Sequence, residues 1–385
     1  MTKRHECPGC GSTMLTGSLV LPNQPVVLNY RFPTPSSAQQ VQRRDIHLRQ
    51  CGHCGLIFNT SFEPDIIPYD ENYENRQCHS TAFEGHLTSV AQRLIGNHHL
   101  EGGTLLEIGC GKGDFLRLIC RLAGARGDGY DTSYLPGSEP ESPGLQFHRQ
   151  YVTDADIRRP YQAVLCRHVI EHVPEIGSFL KSVYDIARAS GDPVVALETP
   201  RVEWIFEQLS FWDIFYEHCN YFSEPTLAHL CRRAGFEVVG HHRVFGDQYQ
   251  LLELRVDSEP RPEPAQRISD DADLDRHADR ILQCAESMSR RIEESAHGLP
   301  WAIWGAGAKG VSLANRFLSM APAAVIDSNP AKQGGVISGT SVPIIAPNDP
   351  RLLQLRLVII ANPNYAPEIE AKLQSLGFDG TTLTL

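Results

Sequence analysis

Four cysteines near the start of the chain fall in two pairs, Cys7-Pro8-Gly9-Cys10-Gly11 and Cys51-Gly52-His53-Cys54-Gly55. Paired thiolates are soft ligands, and four of them match the closed tetrahedral set of a structural zinc ion. Glycines in each knuckle let backbone amides turn toward the sulfurs. Four thiolates leave no open coordination position, so the expected Zn2+ builds structure and takes no part in a reaction. A second run, Glu107-Ile108-Gly109-Cys110-Gly111-Lys112-Gly113-Asp114, follows an apolar strand and opens a helix. Its glycines are spaced G-x-G-x-G, whereas a dinucleotide turn wants its third glycine at 114, where an aspartate would repel a pyrophosphate. Asp131 ends the next apolar segment about 20 residues on, as a ribose-binding acid should. Asp154, before Ala155, lies where an acid could accept from an adenine amine, and Glu107 is placed to hold an ammonium group. A third run, residues 211–222, is dense in aromatic and titratable side chains and includes Glu217 and His218. An apolar surround with a Glu-His pair suits general-base work, because a carboxylate can orient the imidazole and exclusion of water sharpens its basicity. His172, in Glu171-His172-Val173-Pro174, follows another apolar strand and faces the same end of the sheet.

The elements that must position these groups alternate between strand and helix. From about residue 104 the pattern reads strand 104–108, helix 114–123, strand 163–166, helix 179–189 and strand 194–197, the signature of a parallel sheet with crossover helices. Open sheets of this kind bind ligands beyond the carboxyl ends of their strands, which is where His172 and residues 211–222 map. Two strands, 237–240 and 250–256, lie close enough in sequence to form an antiparallel edge hairpin. Ser223 caps a helix with Pro225 in its first turn. Residues 258–264, loaded with Pro and Glu, read as a linker, and residues 270–295 as one charged amphipathic helix with Leu274, Ile281 and Met288 on one side.

A second strand–helix alternation starts at Trp301. The expected fold class is α/β: a Rossmann-like sheet flanked by a small N-terminal zinc-binding domain (1–90) and a C-terminal Rossmann-like domain (300–385). The central domain spans 91–257, and 258–299 form linker and helix. No short-period repeat is present, although two α/β units in one chain are compatible with a distant duplication.

In the C-terminal unit, Gly305, Gly307 and Gly310 fit G-x-G-x-x-G, with Asp327 ending the following strand. Three uses stay open for this loop. It could take a nicotinamide cofactor, seat a substrate diphosphate on the helix start beside Lys309, or merely complete a cleft. The short length left for a two-half dinucleotide fold weighs against the first.

A net charge of -11 argues against nucleic-acid binding by phosphate neutralisation. No apolar run is long enough to span a bilayer, and residues 1–10 carry no signal-peptide core, so no membrane partner and a cytoplasmic location are expected.

The glycine turn, with acids at both following strand ends, resembles class I methyltransferases. That resemblance implies S-adenosylmethionine as the cofactor, with Glu107, Gly109, Gly111, Asp131 and Asp154 around it and the methionine ammonium on Glu107. Over essentially its full length the chain resembles the sugar 3-C-methyltransferases of dTDP-deoxysugar biosynthesis. The resemblance is carried by the cysteine knuckles, the run Glu217-His218-Cys219-Asn220-Tyr221-Phe222-Ser223, and Trp304-Gly305-Ala306-Gly307-Ala308-Lys309-Gly310. It implies a small-molecule nucleotide-sugar substrate and C-methylation. His218 is then the base that removes a proton beside a 4-keto group, and the enolate carbon attacks the sulfonium methyl. Glu217 and His172 support substrate and enolate, and Tyr73 matches a tyrosine that lines the site. The chain departs from the family at Phe215-Tyr216, where a Tyr-His pair is usual; a hydroxyl is lost at 215, and Tyr216 is the residue to replace it. It departs again at Asn362-Pro363-Asn364-Tyr365, where the family carries Pro-Trp-Asn. An alternative acceptor is the oxygen or nitrogen of a sugar or other natural product.

Overall fold

The computed structural model describes residues 4–68, 73–74, 76, 79–137, 143–258, 270–317 and 320–385. Of the expected linker at 258–264, only Ser258 falls within them. Strands β1 (Leu15–Pro25), β2 (Arg43–Cys51) and β3 (Ile57–Asn59) open the chain as an antiparallel sheet. The middle of the chain supplies β4 (Thr104–Ile108), β5 (Arg126–Tyr130), β6 (Leu145–His148), β7 (Ala163–Arg167) and β8 (Val194–Pro200). A two-residue β9 (Asn220–Tyr221) follows, then β10 (Phe236–Val244) and β11 (Tyr249–Val256). The C-terminal part contains β12 (Trp301–Trp304), β13 (Ala324–Ile326), β14 (Ile344–Ile345), β15 (Leu357–Ile360) and β16 (Thr381–Thr384).

The central sheet runs β10-β11-β8-β7-β4-β5-β6. β6, β5, β4, β7 and β8 are parallel, and β11 and β10 close the edge as the antiparallel hairpin the sequence predicts. Parallel strands covered on both faces read as continuous apolar runs, which is how β7 and β8 are built, each buried along nearly its whole length. On one face, helix Thr81–His98 packs Phe83, Leu87, Val90 and Leu94 against Leu105, Phe115 and Ile119. On the other, helix Ile176–Ala189 and helix Glu224–Arg233 share a core with the knuckle cysteines and Leu56. Ser223 accepts from the amide of Thr226 and Pro225 stands in the first turn, so the latter helix starts where its sequence says it should.

The C-terminal sheet, β14-β13-β12-β15-β16, is parallel throughout. Two connections knit the layers. β9 pairs antiparallel with β3, so residues from the His218 run complete the N-terminal sheet. The long helix Leu274–Ala296 lays Leu274, Ala278, Ile281, Ala285, Met288 and Ile292 into one core with Leu19, Ile46, Trp204, Trp212, Trp301 and Val311. Gln50 pins its start, donating to Ala272 O at 2.8 Å and accepting from Leu274 N at 3.0 Å. No helix of the described residues is long and apolar enough to cross a membrane.

Candidate functional site

The two knuckles meet. Cys7 Sγ lies 3.5 Å from Cys54 Sγ and Cys10 Sγ 3.6 Å from Cys51 Sγ, and all four sulfurs fall within 4.8 Å of one another. A tetrahedral ion with bonds of about 2.3 Å to sulfur separates its ligands by about 3.8 Å, so this donor set fits a metal. Amides turn toward the sulfurs as expected, Gly9 N to Cys7 Sγ and His53 N to Cys51 Sγ, each at 3.4 Å.

At the ends of β4 and β5 the glycine turn is shaped by its surroundings. Gly109 has φ +70, and a Cβ there would sit 2.2 Å from Val169 Cγ2. Its amide donates to Tyr130 O at 2.8 Å. Asp131 accepts from Gly111 N at 2.8 Å through Oδ2 and from Ser133 N at 2.7 Å through Oδ1, which locks turn and acid together. Glu107 is buried, and its Oε2 has no hydrogen-bond partner among the described residues. Burial pushes its pKa up to about 8, against the pull of Arg167. An orphaned buried carboxylate oxygen beside a nucleoside-type turn fits an ammonium ligand. Asp154 starts a short turn, Asp154–Asp156, and is exposed to solvent.

Beyond the ends of β7 and β8 lies a cavity of about 280 Å3 whose walls include Tyr73, His168, Glu171, His172, Phe215, Glu217 and His218. His218 is sandwiched by rings: Phe215 at 4.1 Å between centroids, and His172 edge-on at 4.7 Å. Burial, reinforced by His172, holds its pKa well below the usual histidine range, so the ring is a neutral proton acceptor. The carboxylate of Glu217 does not orient it. It turns instead toward the N-terminal sheet, accepting from Leu28 N at 2.6 Å and from Tyr73 OH at 2.7 Å. The backbone carbonyl of Glu217 accepts from His172 Nδ1 at 2.9 Å. Tyr216 is not brought to the site, which corrects its expected role. Its hydroxyl donates to Ser61 O at 3.0 Å and accepts from Glu63 N at 2.9 Å, because the strand pairing of β9 with β3 draws it into the N-terminal layer. Its buried side chain therefore cannot replace the hydroxyl lost at Phe215.

Next to these residues lies a charged cluster that the sequence reading did not single out. Buried Glu198, at the end of β8, accepts from His86 Nε2 and Arg167 Nε at 2.7 and 2.6 Å. His168 stands between Glu198 at 3.3 Å and Glu171 at 3.4 Å. Burial alone would lower the pKa of His168, but the two carboxylates raise it to about 9, so it is cationic at neutral pH. Its φ of +52 is unusual for a residue with a Cβ, and such backbone concentrates at functional sites. The signal available in sequence was His168-x-x-Glu171 at the end of an apolar strand.

The C-terminal glycine loop faces the same cavity, through Gly305, Gly307, Asp327, Asn329 and Lys332. It repeats the geometry of the first turn: Gly305 N donates to Ile326 O at 2.7 Å, and Asp327 accepts from Ala306 N at 2.6 Å and Asn329 N at 2.7 Å. A Cβ on Gly310 would meet Gly305 O at 1.9 Å, so helix Ala308–Arg316 can approach the strand only with glycine there. Lys309 lines the cavity too, already paired with Asp213 at 2.6 Å and lying over the ring of Trp204 at 4.7 Å.

Comparison with known proteins gives this geometry a family. Residues 82–241 match the model of a methyltransferase domain, and residues 244–385 that of a C-methyltransferase C-terminal domain. The chain is 26% identical over 351 residues to the C-methyltransferase NovU of Streptomyces niveus, covering 83% of this chain and 80% of that one. This is an S-adenosylmethionine-dependent methyltransferase. It is also 32% identical over 103 residues to a ubiquinone biosynthesis O-methyltransferase of Rhodopseudomonas palustris (strain TIE-1), 25% of this chain and 40% of that protein. Among solved structures, magnesium protoporphyrin IX methyltransferase of Synechocystis PCC 6803 matches 46% of this chain and 84% of its own, at 15% identity and a TM-score of 0.37. A 1,6-didemethyltoxoflavin-N1-methyltransferase of Burkholderia thailandensis matches 46% and 82%, at 18% identity and a TM-score of 0.37.

Within this methyltransferase, the cofactor loop and the cavity share one end of the central sheet. The cavity itself is walled by the turn after β7, by Pro200 at the end of β8, by the His218 run and by the C-terminal loop. Tyr73, His172, Glu217 and His218 are brought together there.

Proposed function

We propose that this methyltransferase transfers its methyl group to a carbon beside the carbonyl of a nucleotide-linked keto-deoxysugar. The observation that carries the reading is the cleft in which His218, neutral and packed against the ring of Phe215, faces the C-terminal glycine loop. The family-model match to a C-methyltransferase C-terminal domain supports carbon as the acceptor. When bound, S-adenosylmethionine supplies the electrophilic methyl. Glu107, left with an orphaned oxygen, would hold its ammonium group. His218 takes the proton from the carbon next to the carbonyl, and its low pKa keeps the lone pair available at neutral pH. Glu217 positions Tyr73 at the cleft wall and, through its carbonyl, fixes the ring of His172. His168, held cationic by two carboxylates, suits the charge that develops on the enolate oxygen. The loop at Gly305, with Asp327 tied across it, would seat the nucleotide portion, its glycines leaving room for the ligand against the backbone. In the knuckles we take the ion to be zinc, because four thiolates are its usual closed set.

The test is proton exchange before methyl transfer. Incubated in heavy water with a 4-keto sugar nucleotide and no S-adenosylmethionine, the enzyme should wash deuterium into the adjacent carbon, and His218→Ala should abolish it. A product methylated on oxygen or nitrogen, with no exchange at carbon, rejects the reading.

A further inference from the structure

Three side chains in the cleft wall carry donor atoms that converge. A carboxylate oxygen of Glu171 and one ring nitrogen each of His172 and His218 all lie within 4.8 Å of one another. The residues come from two segments, the turn Ile170–His172 after β7 and the run leading into β9. Those segments are pinned together beside the donors themselves: Cys219 N donates to Glu171 O at 2.9 Å and Asn220 Nδ2 to Val173 O at 2.7 Å. The backbone therefore holds the three residues side by side.

Each donor is also prepared. Because the carbonyl of Glu217 can only accept, His172 carries its proton on Nδ1 and its lone pair on Nε2. A backbone acceptor on the other nitrogen is how a ligating imidazole is usually fixed. Thr199 Oγ1 donates to Glu171 Oε2 at 3.0 Å, orienting the carboxylate in the same manner. Among the described residues the ring of His218 makes no hydrogen bond, only ring contacts, so it can swing. Bonds of about 2.0–2.1 Å bring neighbouring donors to about 3.0–3.4 Å of each other, a closure that side-chain rotation supplies.

We infer that Glu171, His172 and His218 form a divalent-cation site of two imidazoles and one carboxylate, separate from the four-thiolate cluster. Two imidazoles with a carboxylate select a transition ion such as Zn2+, Co2+ or Fe2+ over Mg2+ or Ca2+. All three residues line the cleft, so the remaining coordination positions face whatever occupies it. His168 stands between Glu171 and Glu198. The inference rests on the reading above only in one respect: an imidazole that holds an ion cannot also take a proton, so ion and proton compete for His218.

The full-length chain, its thiolate cluster first filled with Zn2+, is dialysed against Zn2+ and its bound metal counted. One further equivalent should bind in the wild type. It should be lost in both His172→Ala and His218→Ala and weakened in Glu171→Gln, with S-adenosylmethionine binding retained in each variant as the sign of an intact fold. No further equivalent in the wild type, or its retention in both histidine variants, overturns the site. Deuterium exchange is then measured with and without the added ion. Suppression by Zn2+ fits the competition. Exchange or methyl transfer that requires the ion overturns His218 as base and leaves the cation site standing.

Discussion

Glu107 is a carboxyl group held away from water, and on the proposed reading it pairs with the ammonium group of the cofactor. With a pKa of about 8 it is protonated at neutral pH, and it must ionise to pair with an ammonium group. Binding at pH 7 should therefore release about nine-tenths of a proton. Affinity should rise with pH up to about 8, by on the order of tenfold per unit, and then level off. Calorimetry in two buffers of different ionisation enthalpy reads the proton directly, and identical heats in both would remove Glu107 from the ammonium. Glu107→Gln should lose the release and weaken binding roughly 10- to 100-fold, the worth of a charged hydrogen bond. Tyr216 makes the opposite case. Its hydroxyl bonds Ser61 and Glu63 in the N-terminal layer, so Tyr216→Phe should lower stability in urea by about 1–2 kcal/mol. It should leave the rate per folded molecule within about twofold. A large loss of kcat at unchanged stability would return Tyr216 to the site.

Among the elements, the turn between β4 and helix Asp114–Ala123 tolerates the least change. Gly109 combines a positive φ with Val169 packed where a side chain would go. Gly109→Ala should cost about 1–3 kcal/mol from the dihedral alone, with more from the clash, and should abolish cofactor binding. Adding Val169→Ala relieves the clash but not the dihedral, so thermal unfolding should recover only in part and cofactor affinity should stay low. Full recovery of both would show that the backbone angle is unimportant. The second glycine turn copies the first in its amide–carboxylate lock, Asp327 for Asp131. The two parallel sheets thus carry turns of like geometry, as a distant duplication would leave them.

At the scale of the molecule, the four-cysteine cluster is joined to the cleft through β3. The knuckle at Cys51 and Cys54 leads directly into Ile57–Asn59, and that strand holds β9, three residues after Glu217. Stripping the cluster with a chelator, or Cys51→Ser, should lower the melting temperature and methyl transfer together. Cofactor affinity should change by less than a few fold, because the Glu107 turn is held by β5, through Tyr130 O and Asp131, and not by β3. If transfer persists after the metal is gone, the cluster does not brace the cleft. The C-terminal sheet is tied in by Trp212 Nε1, which donates to Ala361 O at 2.9 Å, and by the Lys309–Asp213 pair. Both partners on the central side come from residues 211–213, beside the His218 run.

Periodicity and spacing carried a good deal of this in one dimension. Apolar runs bounded by glycine announced the parallel strands, the close spacing of 237–240 and 250–256 announced the edge hairpin, and the thiolate pairs announced a cluster. Such signals are local: a turn needs its glycine and a buried strand needs its apolar side chains wherever the rest of the chain goes. Side-chain direction is not local. Glu217 and His218 are adjacent in sequence, yet the pairing of β9 with β3 sends the Glu217 carboxylate to Leu28 and Tyr73 and leaves His218 among rings. The same pairing takes Tyr216 out of the cleft. Lys309 reads as a phosphate-binding lysine on a helix start, and the helical turn at Asp213, almost a hundred residues earlier, claims it instead. The convergence of Glu171, His172 and His218 likewise exists only once two segments some 46 residues apart are hydrogen-bonded side by side. Residue types fixed which chemistries the chain could perform, and long-range strand pairing and burial decided which side chains were left facing one another to perform them.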